Sequence, residues 1–191
     1  MTGLGAFNSN GYLAGDVVIP EGVTDMKRGV VYSPSLVKTI KFPSTLTSIG
    51  DYCFNNSSEG LYNVSSIKLP KLCTSIGNSA FSYLGRDTSG CQLEIEALNS
   101  FNIGSDCFWD SEVSSLNFTS PKTDGFKLVL HRQAFYDGNK NLSIQVPINT
   151  VLELYSYVFS YNKSLNINLE NISEIHIKDT NALHQCLLTN S

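Results

Sequence analysis

Few residues in this chain are able to do chemistry, and their spacing decides what they can do. The tightest grouping of metal-binding side chains is His176, His184 and Cys186. Zinc takes nitrogen and sulfur donors in sets of four at recurring spacings, and H-x7-H-x-C supplies three donors at none of them. The remaining cysteines, Cys53, Cys73, Cys91 and Cys107, form no C-x-x-C. A serine nucleophile on a sharp turn needs G-x-S-x-G, and "GNSAF" at 77–81 fails at its last position. The phosphate-cradling G-x-x-x-x-G-K-S/T does not occur. Acidic residues are scattered singly and do not stand as an acid/base pair. The chain therefore reads as non-enzymatic, with no metal and no cofactor. Seven N-x-S/T sequons occur, at Asn55, Asn56, Asn63, Asn117, Asn141, Asn162 and Asn171. They would carry sugar only in a eukaryotic secretory setting, and a chain rich in Asn, Ser and Thr produces them by composition.

The overall balance narrows the class further. With 191 residues, 41% hydrophobic and 16% charged, the chain is too apolar for disorder and long enough to bury a core. Thirteen Lys plus Arg against seventeen Asp plus Glu leave a net charge of −4. No run of like charge is present, so neither nucleic acid nor an acidic membrane surface is an expected partner. No stretch reaches the ~18–20 apolar residues of a membrane span. The opening "MTGLGAFNSNGYLAGD" has neither a basic start nor a continuous apolar run, so it does not read as a secretory signal. Five cysteines at these spacings resemble no disulfide framework.

Such sparse chemistry must be positioned by something regular, and the regularity is an internal repeat. Phe54, Phe81, Phe108 and Phe135 stand 27 residues apart, and Phe159 follows after 24. Stepping back 23 and then 24 residues from Phe54 reaches Val31 and Phe7, and stepping forward 24 from Phe159 reaches Leu183. The residue before each anchor is small or compact and apolar: Ala6, Val30, Cys53, Ala80, Cys107, Ala134, Val158 and Ala182. Five before the anchor come Met26, Ile49, Ile76, Ile103, Leu130 and Leu154. Upstream lies a segment such as Ile40-Lys41-Phe42 or Ile67-Lys68-Leu69, whose alternation is that of a half-buried strand. Pro43, Pro70 and Pro147 end it, because Pro cannot donate to a central ladder. Gly50, Gly77 and Gly104 sit where a Cβ would hinder the chain. One coil of this kind cannot bury its apolar face, whereas stacked coils can.

"LVKTIKFPSTLTSIGDYCF" and "VSSIKLPKLCTSIGNSAF" resemble the BspA-like class of leucine-rich repeat, with its L-x-x-I-x-L-P followed by I-G-x-x-A-F. The resemblance runs from about Met1 to Leu183 and is strongest from Leu36 to Phe108. It implies a β-rich solenoid: a right-handed coil of roughly seven repeats of 23–27 residues, with a parallel β-sheet on one face. Departures stand at "LNFTSPKTDGFKLVLHRQAF", where the first strand is altered and His131 fills the Gly slot, and at Tyr155 in the next copy. The resemblance further implies a recognition or adhesion module of a bacterial cell-surface or secreted protein, binding a host protein, a glycan or another cell. The alternative is a structural or decoration component of a bacteriophage virion. The span 1–191 reads as a single solenoid opening inside a repeat, as a fragment would or an end covered by a partner, with assembly through uncapped ends as one outcome.

Two sets of residues are candidates for contact with a ligand. Lys41, Lys68, Glu94, Gln145 and Asn168 stand between inward residues of successive strands and form a predicted outward ladder, locally basic at Lys41 and Lys68. Tyr83, Trp109, Tyr136 and Tyr161 follow the anchors and form a candidate aromatic edge. Cys53 and Cys107 share the slot of Ala80 and Ala134 and are expected in the core. Cys73, Cys91 and Cys186 lie outside that slot and are candidates for surface thiols.

Overall fold

The computed structural model describes residues 14–31, 34–55, 59–119, 125–138 and 141–185. Each coil contributes two short strands. The first coil holds β1 (Ala14–Val18) and β2 (Asp25–Met26), the second β3 (Leu36–Lys41) and β4 (Ser48–Ile49), the third β5 (Ser66–Leu69) and β6 (Ser75–Ile76). The fourth holds β7 (Cys91–Glu96) and β8 (Ser100–Ile103), the fifth β9 (Val113–Thr119) and β10 (Lys127–Leu130). The sixth holds β11 (Leu142–Gln145) and β12 (Thr150–Leu154), the seventh β13 (Leu165–Ile167) and β14 (Ile172–Ile177). A 3-10 turn at Leu169–Asn171 lies between the last two strands. Among the described residues no helix is long and apolar enough to cross a membrane.

The result is a parallel β-solenoid of about seven turns, as the repeat predicts. It carries a second parallel ladder besides the expected one. The even-numbered strands form an unbroken seven-stranded sheet built on the column Met26, Ile49, Ile76, Ile103, Leu130 and Leu154, all buried. The odd-numbered strands divide into a two-stranded sheet, β1 with β3, and a five-stranded sheet from β5 to β13. The third side is also tied coil to coil, without strands. There Phe54, Phe81, Phe108 and Phe135 donate their amides to Ala80, Cys107, Ala134 and Val158 at 2.8–3.0 Å.

The anchor rings form one column inside the coil. Phe54–Phe81, Phe81–Phe108, Phe108–Phe135 and Phe135–Phe159 stack with centroids 5.1, 5.8, 5.0 and 5.8 Å apart and planes within 20°. That spacing follows the inter-strand distance of the ladders, ~4.8 Å, and suits offset stacking. The anchor rule fails at the eighth copy. Ala182 is buried but Leu183 is 37% exposed, and Ile177 pairs with Leu154, one residue earlier than the step from Phe159 requires. With no further described coil to pack against, β14 leaves Ile175 and Ile177 exposed as well. Ala6, Phe7, Asn56 and Cys186 lie outside the described residues.

Close approach explains the glycine slot. A Cβ on Gly77 would stand 2.5 Å from the Asp51 amide nitrogen, and one on Gly104 would stand 2.6 Å from a Gly77 backbone carbon. Next to the slot, Asp51 Oδ1 accepts from the Asn78 amide and Asn78 Oδ1 from the Ser105 amide, both at 2.7 Å. Where His131 and Tyr155 replace the glycine, their rings stack on each other at 4.9 Å. The turn that follows passes through left-handed backbone two residues before the anchor, at Gly29, Tyr52, Ser79, Asp106, Gln133 and Tyr157, with φ between 51° and 60°. It does so again two residues after it, at Tyr83, Asp110, Asp137 and Tyr161.

All four described thiols are buried, which corrects the expectation of surface thiols at Cys73 and Cys91. These two close the core beneath the strand-ending turn and at the start of β7. Burial pushes Cys73 up to about 11 and Cys91 up to about 12, and raises Cys53 and Cys107 as well. Asn162 is a core polar group, its amide donating to the carbonyls of Phe159, at 2.9 Å, and Phe135. An ion pair also crosses the later coils. Glu153 on β12 accepts from Lys127 on β10 at 2.8 Å and from the Tyr155 hydroxyl at 3.1 Å, with Lys178 at 3.8 Å.

Three measurements test this arrangement. Phe81→Ala removes the ring between two stacked neighbours and is expected to cost about 3–5 kcal/mol in denaturant unfolding; a loss near zero would break the stack. Alkylation of native protein, resolved by peptide mass, should leave Cys53, Cys73, Cys91 and Cys107 unlabelled until denaturant is added. Finally, the hydrogen bond from Lys127, helped by Tyr155, holds the Glu153 carboxyl below the ordinary glutamate range. Its stabilisation is thus present above the unfolded-state pKa and lost as pH falls through the lower folded one. The stability gap between wild type and Glu153→Gln should therefore be constant near neutrality and shrink in acid; a gap that is independent of pH contradicts it.

Candidate functional site

The outward face of the five-stranded sheet is built from two registered columns. Lys68 pairs with Glu94, Glu94 with Asn117, and Asn117 with Gln145. Two residues upstream, Ser66, Gln92, Ser115, Ser143 and Asn166 stand in register on β5, β7, β9, β11 and β13. The inward column between them, Ile67, Leu93, Leu116, Ile144 and Ile167, packs on the core. Strand alternation thus places both polar columns outward because the apolar one must point in. A cleft of about 290 Å³ lies between the columns, walled by Ser66, Lys68, Gln92, Glu94, Ser115 and Asn117.

Three members of the predicted ladder, Lys68, Glu94 and Gln145, stand in one column here, and two do not. Lys41 is exposed on β3, which belongs to the other sheet, so it does not adjoin Lys68 across a hydrogen-bonded pair. Asn168 lies beyond the end of β13. Its Oδ1 accepts from the Val146 amide at 2.9 Å and its Nδ2 donates to the Val146 carbonyl at 3.1 Å, so its amide is spent on tying backbone. The expected basic character is offset at Lys68. Lys68 Nζ lies 2.7 Å from Glu94 and 3.1 Å from Glu96, one cation held by two anions. Hydrogen bonds to these carboxylates, Glu94 first, raise the Lys68 pKa. Asn117 is absent from the predicted ladder because "LNFT" departs from the repeat, and the second column because it stands one alternation before the residues between the inward pair. The signal was the alternation Leu116-Asn117-Phe118 itself.

The aromatic edge is two separate pairs. Tyr83 meets Trp109 edge-on at 5.1 Å, with Tyr62 6.4 Å beyond Tyr83. Tyr136 meets Tyr161 in the same way at 5.1 Å. Tyr83 is 9% exposed, Trp109 and Tyr136 are half-buried, and Tyr161 is 52% exposed. Arg86 lies over the Tyr83 ring at 5.3 Å and reaches Asp110 at 3.4 Å. Beside the first pair runs a groove of about 630 Å³, whose floor includes Gly29, Tyr52, Ser79, Asp106 and Gln133.

Of the metal candidates, His176 and His184 lie among the described residues and Cys186 does not. His176 pairs with Glu174 at 2.9 Å, and His184 meets the Tyr157 ring at 5.6 Å. Among the described residues no group of three or more His, Cys, Asp or Glu could hold a metal ion.

No curated protein and no solved structure matches the chain. The family described as BspA type leucine-rich repeat region does match, in six copies, over residues 3–124 and 61–190. These spans take in all seven described coils, with the Gly slot, the anchor stack and both ladders. The chain belongs to the BspA-type leucine-rich-repeat family.

Proposed function

We propose that this protein is a non-enzymatic recognition and adhesion module of a bacterial cell-surface or secreted protein, holding a protein partner on the outward face of its five-stranded sheet. The family supports a repeat-built interaction module, and leucine-rich-repeat solenoids are typically scaffolds without catalysis. The observation that carries the reading is the pair of registered polar columns with the cleft between them. Ser, Gln, Asn, Lys and Glu side chains at one fixed spacing offer both donors and acceptors to a peptide surface. Because stacking fixes the backbone that carries them before any partner arrives, binding orders side chains but no backbone. The mixed charge favours a partner recognised by hydrogen bonds over a lipid or a polyanion. The family's association with surface proteins supports an extracellular setting.

Binding to cultured host cells and to a panel of immobilised extracellular-matrix proteins tests this. Gln92→Ala with Asn117→Ala removes side chains from both columns while keeping every inward residue. The double variant should keep wild-type unfolding and lose about tenfold or more in affinity for whichever protein binds, as two lost hydrogen bonds would give. Wild-type affinity in the double variant would place the contact elsewhere and sink the sheet-face reading.

A further inference from the structure

The groove beside Tyr83 and Trp109 has a composition unlike that of the sheet face. Its floor is the left-handed turn column of five successive coils, from Gly29 to Gln133. Glycine occupies that column only in the first of these coils. In the next four the chain keeps Tyr52, Ser79, Asp106 and Gln133 at φ between 51° and 56°. A side chain there strains the backbone where a glycine would not. Four steps at the usual inter-strand spacing make the floor about 19 Å long, so the groove suits an elongated ligand lying across the coils. Its volume of about 630 Å³ falls within the usual range for a small-molecule site.

The lining also indicates what kind of ligand. Trp109 forms part of one wall, half-buried and held edge-on by Tyr83. At the N-terminal end Arg28 lies over the Tyr52 ring at 4.5 Å. Asp106, with its carboxyl pushed up by burial, stands in the floor near the tryptophan. One cation and one carboxylate leave the groove without net charge, and the other polar groups are neutral donors and acceptors. Asn55 and Gln133, also in the lining, add neutral amide groups. Ring faces for apolar C–H surfaces, with amides and a carboxylate for hydroxyls, are the chemistry that recognises a pyranose.

We propose that the groove along Tyr52, Asp106, Trp109 and Gln133 is a binding site for a neutral linear oligosaccharide, separate from the sheet face. This does not rest on the sheet-face reading, since none of the residues is shared.

Trp109 is the sole tryptophan, so its emission reports occupancy directly. The protein would be titrated with cello-, xylo- and manno-oligosaccharides while that emission is followed. At least one series is expected to give a saturable blue shift. Asp106→Asn and Gln133→Asn keep a residue that tolerates left-handed backbone, so the fold should hold. Each should weaken saccharide binding about tenfold while thermal unfolding stays unchanged. If no saccharide shifts the emission, or if both variants bind as wild type does, the proposal fails. It fails equally if gelatin peptides move Trp109 and the saccharides do not. A lost response to sugar with retained binding to matrix protein would sink this inference alone, and the reverse pattern would sink only the sheet-face reading.

Discussion

Everything in this solenoid depends on one distance, the separation between successive coils. The anchor rings at 5.0–5.8 Å, the two parallel ladders and the amide ladder of the turns all set it together. A single coil has no second layer on which to bury its ring, so its apolar face becomes a core only when a neighbour arrives. The glycine slot then follows from the spacing, since a Cβ at Gly77 or Gly104 would enter the neighbouring backbone. Where the slot holds His131 and Tyr155, ring stacking takes over the contact between coils. The spacing survives although the residue type changes.

Fixing the inward columns also fixes the outward ones. Because side chains alternate across each strand, the register that stacks Ile67, Leu93 and Leu116 also stacks Ser66, Gln92 and Ser115 beside them. Display in columns is thus a by-product of burial. The same register brings Lys68 against Glu94 and Glu96, so a surface that looks basic residue by residue is neutralised across strands. Left-handed turn residues behave likewise. Their backbone conformation recurs because the turn recurs, and it fixes the row of residues that borders the groove.

The repeat weakens where its partners change. The odd-numbered ladder breaks between β3 and β5, while the even-numbered one continues through the same coils. In the seventh coil the anchor ring is missing and β14 is largely exposed. Coils therefore need not close all three sides in the same way. The odd-numbered ladder and the anchor stack can lapse in single coils while the unbroken even-numbered sheet holds the spacing.

The sequence alone determined the class of fold and the repeated columns of the core. Phe54 through Phe159, the compact residues before them and the Ile column are all legible because they recur at one step, and burial needs only side-chain type and spacing. It also placed Cys53 and Cys107 correctly, by their share in a small-residue slot. It could not decide which outward residues face one another. Asn117 joins the ladder through register with Glu94 and Gln145, and Asn168 leaves it to tie the backbone of Val146. Nor could it see the groove, whose residues from Arg28 to Gln133 are scattered over about a hundred positions. Burial is written into each coil by its own pattern, whereas charge pairing, sheet breaks and grooves arise between coils. Only the stacked structure brings those residues within reach of one another.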